Sequence, residues 1–179
     1  MPDPFVLAFV PGVTPAKWVG VWKERMPRVP VELRPVGQDE ALQSLLADGA
    51  AVALVRLPVA GEGWSVIPLY TEIAVVVAAK DHPIAAFESL TLADLADERL
   101  VEGQDAAAVE LVAVTDSVAI MPHSLARLHG RRDVVARPVT DAPETRVALV
   151  WLAAKTTPWV EEFVGIVRGR TANSSRGKR

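Results

Sequence analysis

Six consecutive apolar residues, Phe5-Val6-Leu7-Ala8-Phe9-Val10, stand almost at the start of the chain. A strand with no polar alternation has no face to offer to water, so both of its faces must be covered. Helices packed on the two sides of a mostly parallel sheet meet that demand, which points to an α/β fold. The next residues agree. Pro11-Gly12-Val13-Thr14-Pro15 has the chemistry of a turn. Trp18, Val19, Trp22 and Met26 then recur at helical spacing and make one apolar face, and Pro27 ends the helix. Thr14 is expected to cap this helix, with Pro15 at its first position, where a missing N–H costs nothing.

The alternation continues. Val29, Val31 and Leu33 alternate with polar residues, as in a strand. Asp39 opens a second helix with Leu42, Leu45 and Leu46 facing inward and Gly49 as its terminator. Ala51 to Val55 is a third strand, so the first third of the chain reads β-α-β-α-β with right-handed crossovers. Further strands are expected over 64–69, 72–79, 118–121, 134–139 and 146–154. Thr91-Leu92-Ala93-Asp94 has the form of a capping box in which Asp stands for Glu. Helices are expected over 104–115 and 124–129. A last helix is capped by Thr156 or Thr157, with Pro158 in its first turn and Trp159, Val160, Phe163 and Val167 inward. Residues 171–179 are small, polar and basic and read as a disordered tail.

Half of the residues are hydrophobic, enough for a substantial core, yet no apolar run reaches the ~20 residues that span a bilayer. The start, Met1-Pro2-Asp3-Pro4, is acidic where a signal peptide is basic, so a cytoplasmic protein is expected. There is no cysteine, which excludes disulfides and thiolate chemistry. The net charge is −3, and Arg168, Arg170, Arg176, Lys178 and Arg179 close the chain. Without those five cations the rest carries −8, five below the whole-chain value. Phosphate neutralisation supplies most non-specific affinity for nucleic acid, so no direct specific DNA binding is expected.

The order of segments carries more than any one of them. After the opening strand and helix come Pro68-Leu69-Tyr70-Thr71-Glu72-Ile73-Ala74-Val75-Val76-Val77, Asp81-His82-Pro83, Leu90-Thr91-Leu92-Ala93-Asp94-Leu95 and Val118-Ala119-Ile120-Met121-Pro122. Thr156-Thr157-Pro158-Trp159-Val160 then leads into the last helix. This series resembles the effector-binding (substrate-binding) domain of LysR-type transcriptional regulators over roughly 5–167. The chain opens directly on its strand, with no helix-turn-helix expected ahead of it. The resemblance implies a two-lobed, type 2 periplasmic-binding-protein-like α/β fold whose chain crosses twice. Lobe one is then 4–78 plus 146–170, and lobe two, which looks shortened, is 79–145. It also implies side-by-side homodimers built from a helix and a strand of each lobe. The tryptophan-bearing helix 15–26 is the candidate on lobe one.

The resemblance further implies a small anionic effector, such as a carboxylate, held between the lobes. Gly12, Val13 and Thr14 lie at a helix N-terminus, where free N–H groups and a partial positive charge suit an anion. Equally, Thr14 can do no more than cap. Arg56 follows the third strand and can hold an anion bidentately, or pair with Glu62 on the surface. Gly103, Thr115 and Ser117 are the candidates from lobe two, and also ordinary turn residues. Thr115 and Ser117 stand where the family often has two glycines, and Ala51-Val52 where it often has an acid. No cofactor is expected. His82, His123 and His129 show no metal-ligand spacing, and no elbow motif surrounds Ser117 or Ser124, so no catalytic residue is assigned. Three readings follow. The first is a stand-alone, non-catalytic effector-binding domain acting through dimerisation or a protein partner. The second is a degenerate interaction module that has lost its ligand. The third is a transporter's solute-binding protein.

Overall fold

The computed structural model describes residues 2–170. The tail expected to be disordered, 171–179, lies outside them. The described residues divide into two compact units, 2–69 with 147–170 and 70–146.

Unit one is built on a five-stranded sheet in the order β2-β1-β3-β8-β4. These strands are β1 (Phe5–Phe9), β2 (Val31–Pro35), β3 (Val52–Arg56), β4 (Trp64–Glu72) and β8 (Thr145–Leu152). The first three are parallel, with Phe5 opposite Val31 and Leu7 opposite Val52. β8 returns antiparallel to β3, Leu54 lying opposite Leu149. Helices α1 (Ala16–Arg25), α2 (Gln38–Leu46) and α5 (Pro158–Val167) complete the unit. The apolar runs of β3 and β8 are buried and that of β1 is buried but for the half-buried Val6 and Phe9, as a sheet covered on both faces requires.

At the centre of this core, Phe5 stacks on Trp22 with ring centroids 4.3 Å apart, and Phe163 closes on Phe5 at 5.3 Å. The indole N–H of Trp22 donates to the Val29 carbonyl at 3.0 Å, so the ring is buried without an orphan donor. Trp18 is 8% exposed and Trp22 0%. The aromatic face of α1 is therefore spent on the core of its own unit. It is not the surplus apolar surface that its sequence suggests for a dimer contact. Leu46 is a second correction. It is 51% exposed, and Ala41 and Leu45 make the inward row of α2. The left-handed residue ending α2 is Asp48 (φ 58°), and Gly49 is held small by Ser44 and Arg34 packed against it. Thr157, not Thr156, caps α5, accepting from the Val160 N–H at 3.2 Å.

Unit two has a three-stranded antiparallel sheet in the order β6-β5-β7. Its strands are β5 (Ala74–Ala79), β6 (Ala119–Pro122) and β7 (Val134–Pro138). The sequence reading sets the first crossing at residue 78, whereas the units divide between Leu69 and Tyr70. β5 belongs to unit two because its backbone pairs with β6 and β7. One core cluster gathers α3 (Ala106–Ala113) and α4 (His123–Leu128) around Val75, Val77 and Met121. Another gathers Val76, Ile84, Leu90, Leu95 and Val118.

The capping box at Thr91 forms reciprocally around a 3₁₀ turn, Ala93–Leu95. The Thr91 N–H and hydroxyl donate to the Asp94 carboxylate at 2.8 and 3.0 Å, and the Asp94 N–H donates back to the hydroxyl. The backbone N–H first, then the hydroxyl, hold the Asp94 carboxyl below the ordinary carboxylate value. A depressed folded value means stability present above the ordinary value and lost as pH falls through the lowered one. Asp94→Asn should therefore melt below the wild type at neutral pH, with the gap closing in acid. A gap that persists unchanged into strong acid would show that the carboxylate contributes nothing through its charge.

Candidate functional site

The loop between β1 and α1 is a type II turn. Val13 N–H donates to the Val10 carbonyl at 3.3 Å, with Pro11 and Gly12 at the corners and Gly12 at φ 84°. Gly12 is thus required for the turn's left-handed position. Two expectations change here. The Val13 N–H is committed to the turn and is not a free ligand donor. Thr14 makes no capping bond; Pro15 is the N-cap, and its carbonyl accepts from Trp18 and Val19. Thr14 fails as a cap because the helix begins one residue later than its hydroxyl can serve. By helix geometry, the amides that point out of α1 are those of Ala16 and Lys17.

Arg56 ends β3 beside this loop. Its Nη1 donates to the Pro11 carbonyl at 2.9 Å. Its backbone is gripped by Gln38, the first residue of α2. The Arg56 N–H donates to Gln38 Oε1 at 3.0 Å, and Gln38 Nε2 donates to the Arg56 carbonyl at 2.6 Å. One end of unit one thus gathers a guanidinium and a helix N-terminus, both favourable to negative charge. Sequence reasoning missed Gln38. Nothing local marks a glutamine that acts on a residue 18 positions away.

The lobe-two candidates lie on α3 and its flanks. Gly103 takes φ 106° ahead of the helix. Asp105 caps α3, accepting from the Ala108 N–H at 2.9 Å. Thr115 closes the other end: its hydroxyl donates to the Leu111 carbonyl at 2.8 Å and accepts from the Ser117 N–H. Ser117 is only 5% exposed. Neither Thr115 nor Ser117 takes a positive φ. A hydroxyl cap does here what a left-handed glycine does at other helix ends. Thr115 also borders a cavity of about 330 Å³ with Asp81, His82, Glu98 and Asp116. An anion there would meet three carboxyl groups, so this corner does not suit the ligand charge expected of it. Gly12 and Arg56 do not border the cavity of about 480 Å³ in unit one. That cavity is lined by Leu45, Ala50, Leu152, Lys155 and Val160, among others.

The other candidates have structural partners. His82 is buried. Its Nδ1 accepts from the Ile84 N–H at 3.2 Å, and its Nε2 lies 3.2 Å from Glu98. The first bond places the ring proton on Nε2, facing the carboxylate. The Ser124 hydroxyl donates to Glu72, and the His123 N–H donates to the Ile73 carbonyl. Among the described residues no group of three or more His, Cys, Asp or Glu side chains could hold a metal ion. No helix there is long and apolar enough to cross a membrane.

A family model, the LysR substrate binding domain, matches residues 9–106. The OxyR regulatory domain from Pseudomonas aeruginosa, in a mutant form, superposes with a TM-score of 0.72 at 19% identity. That match covers 96% of this chain and 100% of the other. The effector binding domain of a BenM variant reaches a TM-score of 0.77 at 15% identity, covering 97% and 96% of the two chains. CbnR, a LysR family transcriptional regulator, gives 0.72 at 17% identity, over 93% of this chain and 69% of its own. At such identities these likenesses speak for the fold.

Proposed function

The chain belongs to the LysR substrate-binding-domain family, and on that premise we propose that it is a non-catalytic effector sensor of the cytoplasm that takes a small anionic metabolite, such as a carboxylate, at the Arg56 end of unit one. The family supports a regulatory ligand-binding domain; the ligand charge and its place are our inference. The observation that carries it is Arg56 held beside the Pro11-Gly12 turn and the first turn of α1. A guanidinium and outward helix amides both favour a carboxylate. The domain itself reads no DNA sequence and acts through dimerisation or a protein partner. The deciding experiment is a thermal-shift screen of small organic acids on the wild type and on Arg56→Gln.

One observation favours a second reading, an interaction module without a ligand. The Thr115 hydroxyl and the Ser117 N–H are spent on closing α3. Under that reading no acid shifts the melting point.

Dimerisation belongs to both readings. With the tryptophans of α1 buried, α3 offers the better apolar contact. Leu111 of α3 and Val114, the residue that ends it, stand three positions apart and exposed, Val114 to 74%. The wild type should sediment as a dimer at roughly 10 μM, well above a micromolar dissociation constant. Val114→Asp should sediment as a monomer with an unchanged melt, since an exposed side chain supports little of the fold. Equal sedimentation of the two proteins would move the interface elsewhere.

A further inference from the structure

At the end of β3 one strand partner is missing. β1 pairs with β3 as far as Leu54, whose carbonyl accepts from the Val10 N–H. Two residues on, Arg56 presents its N–H and carbonyl to that same side, because backbone direction alternates along a strand. There the chain after β1 has already turned away through Pro11-Gly12. The amide of Gln38 fills the gap. It accepts from the Arg56 N–H and donates to the Arg56 carbonyl, as a neighbouring strand would. With Nη1 on the Pro11 carbonyl, three atoms of Arg56 are fixed within unit one.

We propose that Gln38 is a positioning residue for the anion site: by replacing the missing strand partner of Arg56 it sets where the guanidinium sits. This rests on the reading of Arg56 as the anion-binding group. Gln38 touches no ligand and acts through Arg56 alone. A side chain on a fixed backbone loses less freedom on binding than one on a fraying strand end. The gain should therefore appear in anion affinity more than in the stability of the fold.

The test uses the full chain, labelled with ¹⁵N, as wild type, Gln38→Leu and Gln38→Glu. The first readout is the Arg56 Nε–Hε signal without ligand. It should be as rigid as the backbone in the wild type and mobile in Gln38→Leu, with the melting point nearly unchanged. Gln38→Glu keeps the acceptor and loses the donor, and should fall between. The second readout is titration with acetate and with inorganic phosphate at constant ionic strength. Gln38→Leu should weaken the anion that shifts the Arg56 signal about tenfold, the cost of ordering one long side chain on binding. In an Arg56→Gln background, Gln38→Leu should add nothing further, as for two groups acting as one unit. An Arg56 side chain that stays rigid in Gln38→Leu, or an unchanged anion affinity, overturns the role of Gln38 and leaves Arg56 as the site. Anion shifts that survive Arg56→Gln overturn the site itself, and the role of Gln38 with it.

Discussion

Trp22→Ala is expected to cost about 3–5 kcal/mol, the usual range for removing a fully buried aromatic ring. Trp22 is 0% exposed, stacks on Phe5 at 4.3 Å and touches the ring of Phe163, so its loss opens a void between β1, α1 and α5. Domains of this kind hold about 5–15 kcal/mol in all. The melting point should therefore fall by roughly 10 °C or more. Trp22→Phe should cost less. It keeps most of the ring contact and loses the bond to the Val29 carbonyl, worth about 1 kcal/mol. Denaturant melts followed by near-ultraviolet circular dichroism would measure both. A Trp22→Ala protein that melts within a degree or two of the wild type would show that the stack does not hold unit one together. The result also bears on assembly, because a ring that supports its own core is not available to anchor a second copy.

The second large effect is on binding. A ligand that binds the folded chain alone stabilises it by ~2.7 kcal/mol at a hundredfold excess over its dissociation constant. In a screen of small organic acids the right one should therefore raise the melting point by several degrees. Arg56→Gln should remove that gain. The substitution should lower the unliganded melting point little. Gln38 still grips the backbone of residue 56, while the contact from Nη1 to the Pro11 carbonyl is lost. If Arg56→Gln responds to the acids as the wild type does, the anion lies elsewhere. If a broad screen moves neither protein, the interaction-module reading replaces the sensor. Thr115 and Ser117, closed around the end of α3, already point that way for unit two.

The residues themselves determined the parts of this protein that depend on short-range chemistry. The unbroken apolar run 5–10 required a sheet covered on both sides. Gly12 after Pro11 required the turn. Thr91 with Asp94 marked a helix start that formed as expected, and Thr156-Thr157 before Pro158 marked another, where Thr157 is the cap. Each of these acts over six neighbouring residues or fewer, within reach of a spacing rule. The ordered series of segments identified the family for the same reason, since it is a property of the chain read in line.

Only the tertiary structure decided the rest. Thr14 had the right type for a cap, but the turn before it started the helix one residue late. Leu46 had the right type for a core, yet Ala41 and Leu45 took the row that meets the sheet. Two tryptophans on one helix face could have served a core or an interface. Phe5 and Phe163, 17 residues before and 141 after Trp22, took up the second of them and made it core. Gln38 and Arg56 meet across 18 residues, and Arg56 and Pro11 across 45. Such contacts exist because strands far apart in sequence end side by side. Periodicity reports which face of an element is apolar. It does not report which backbone groups another strand will leave unpaired, and that remainder is what brought Gln38 to Arg56.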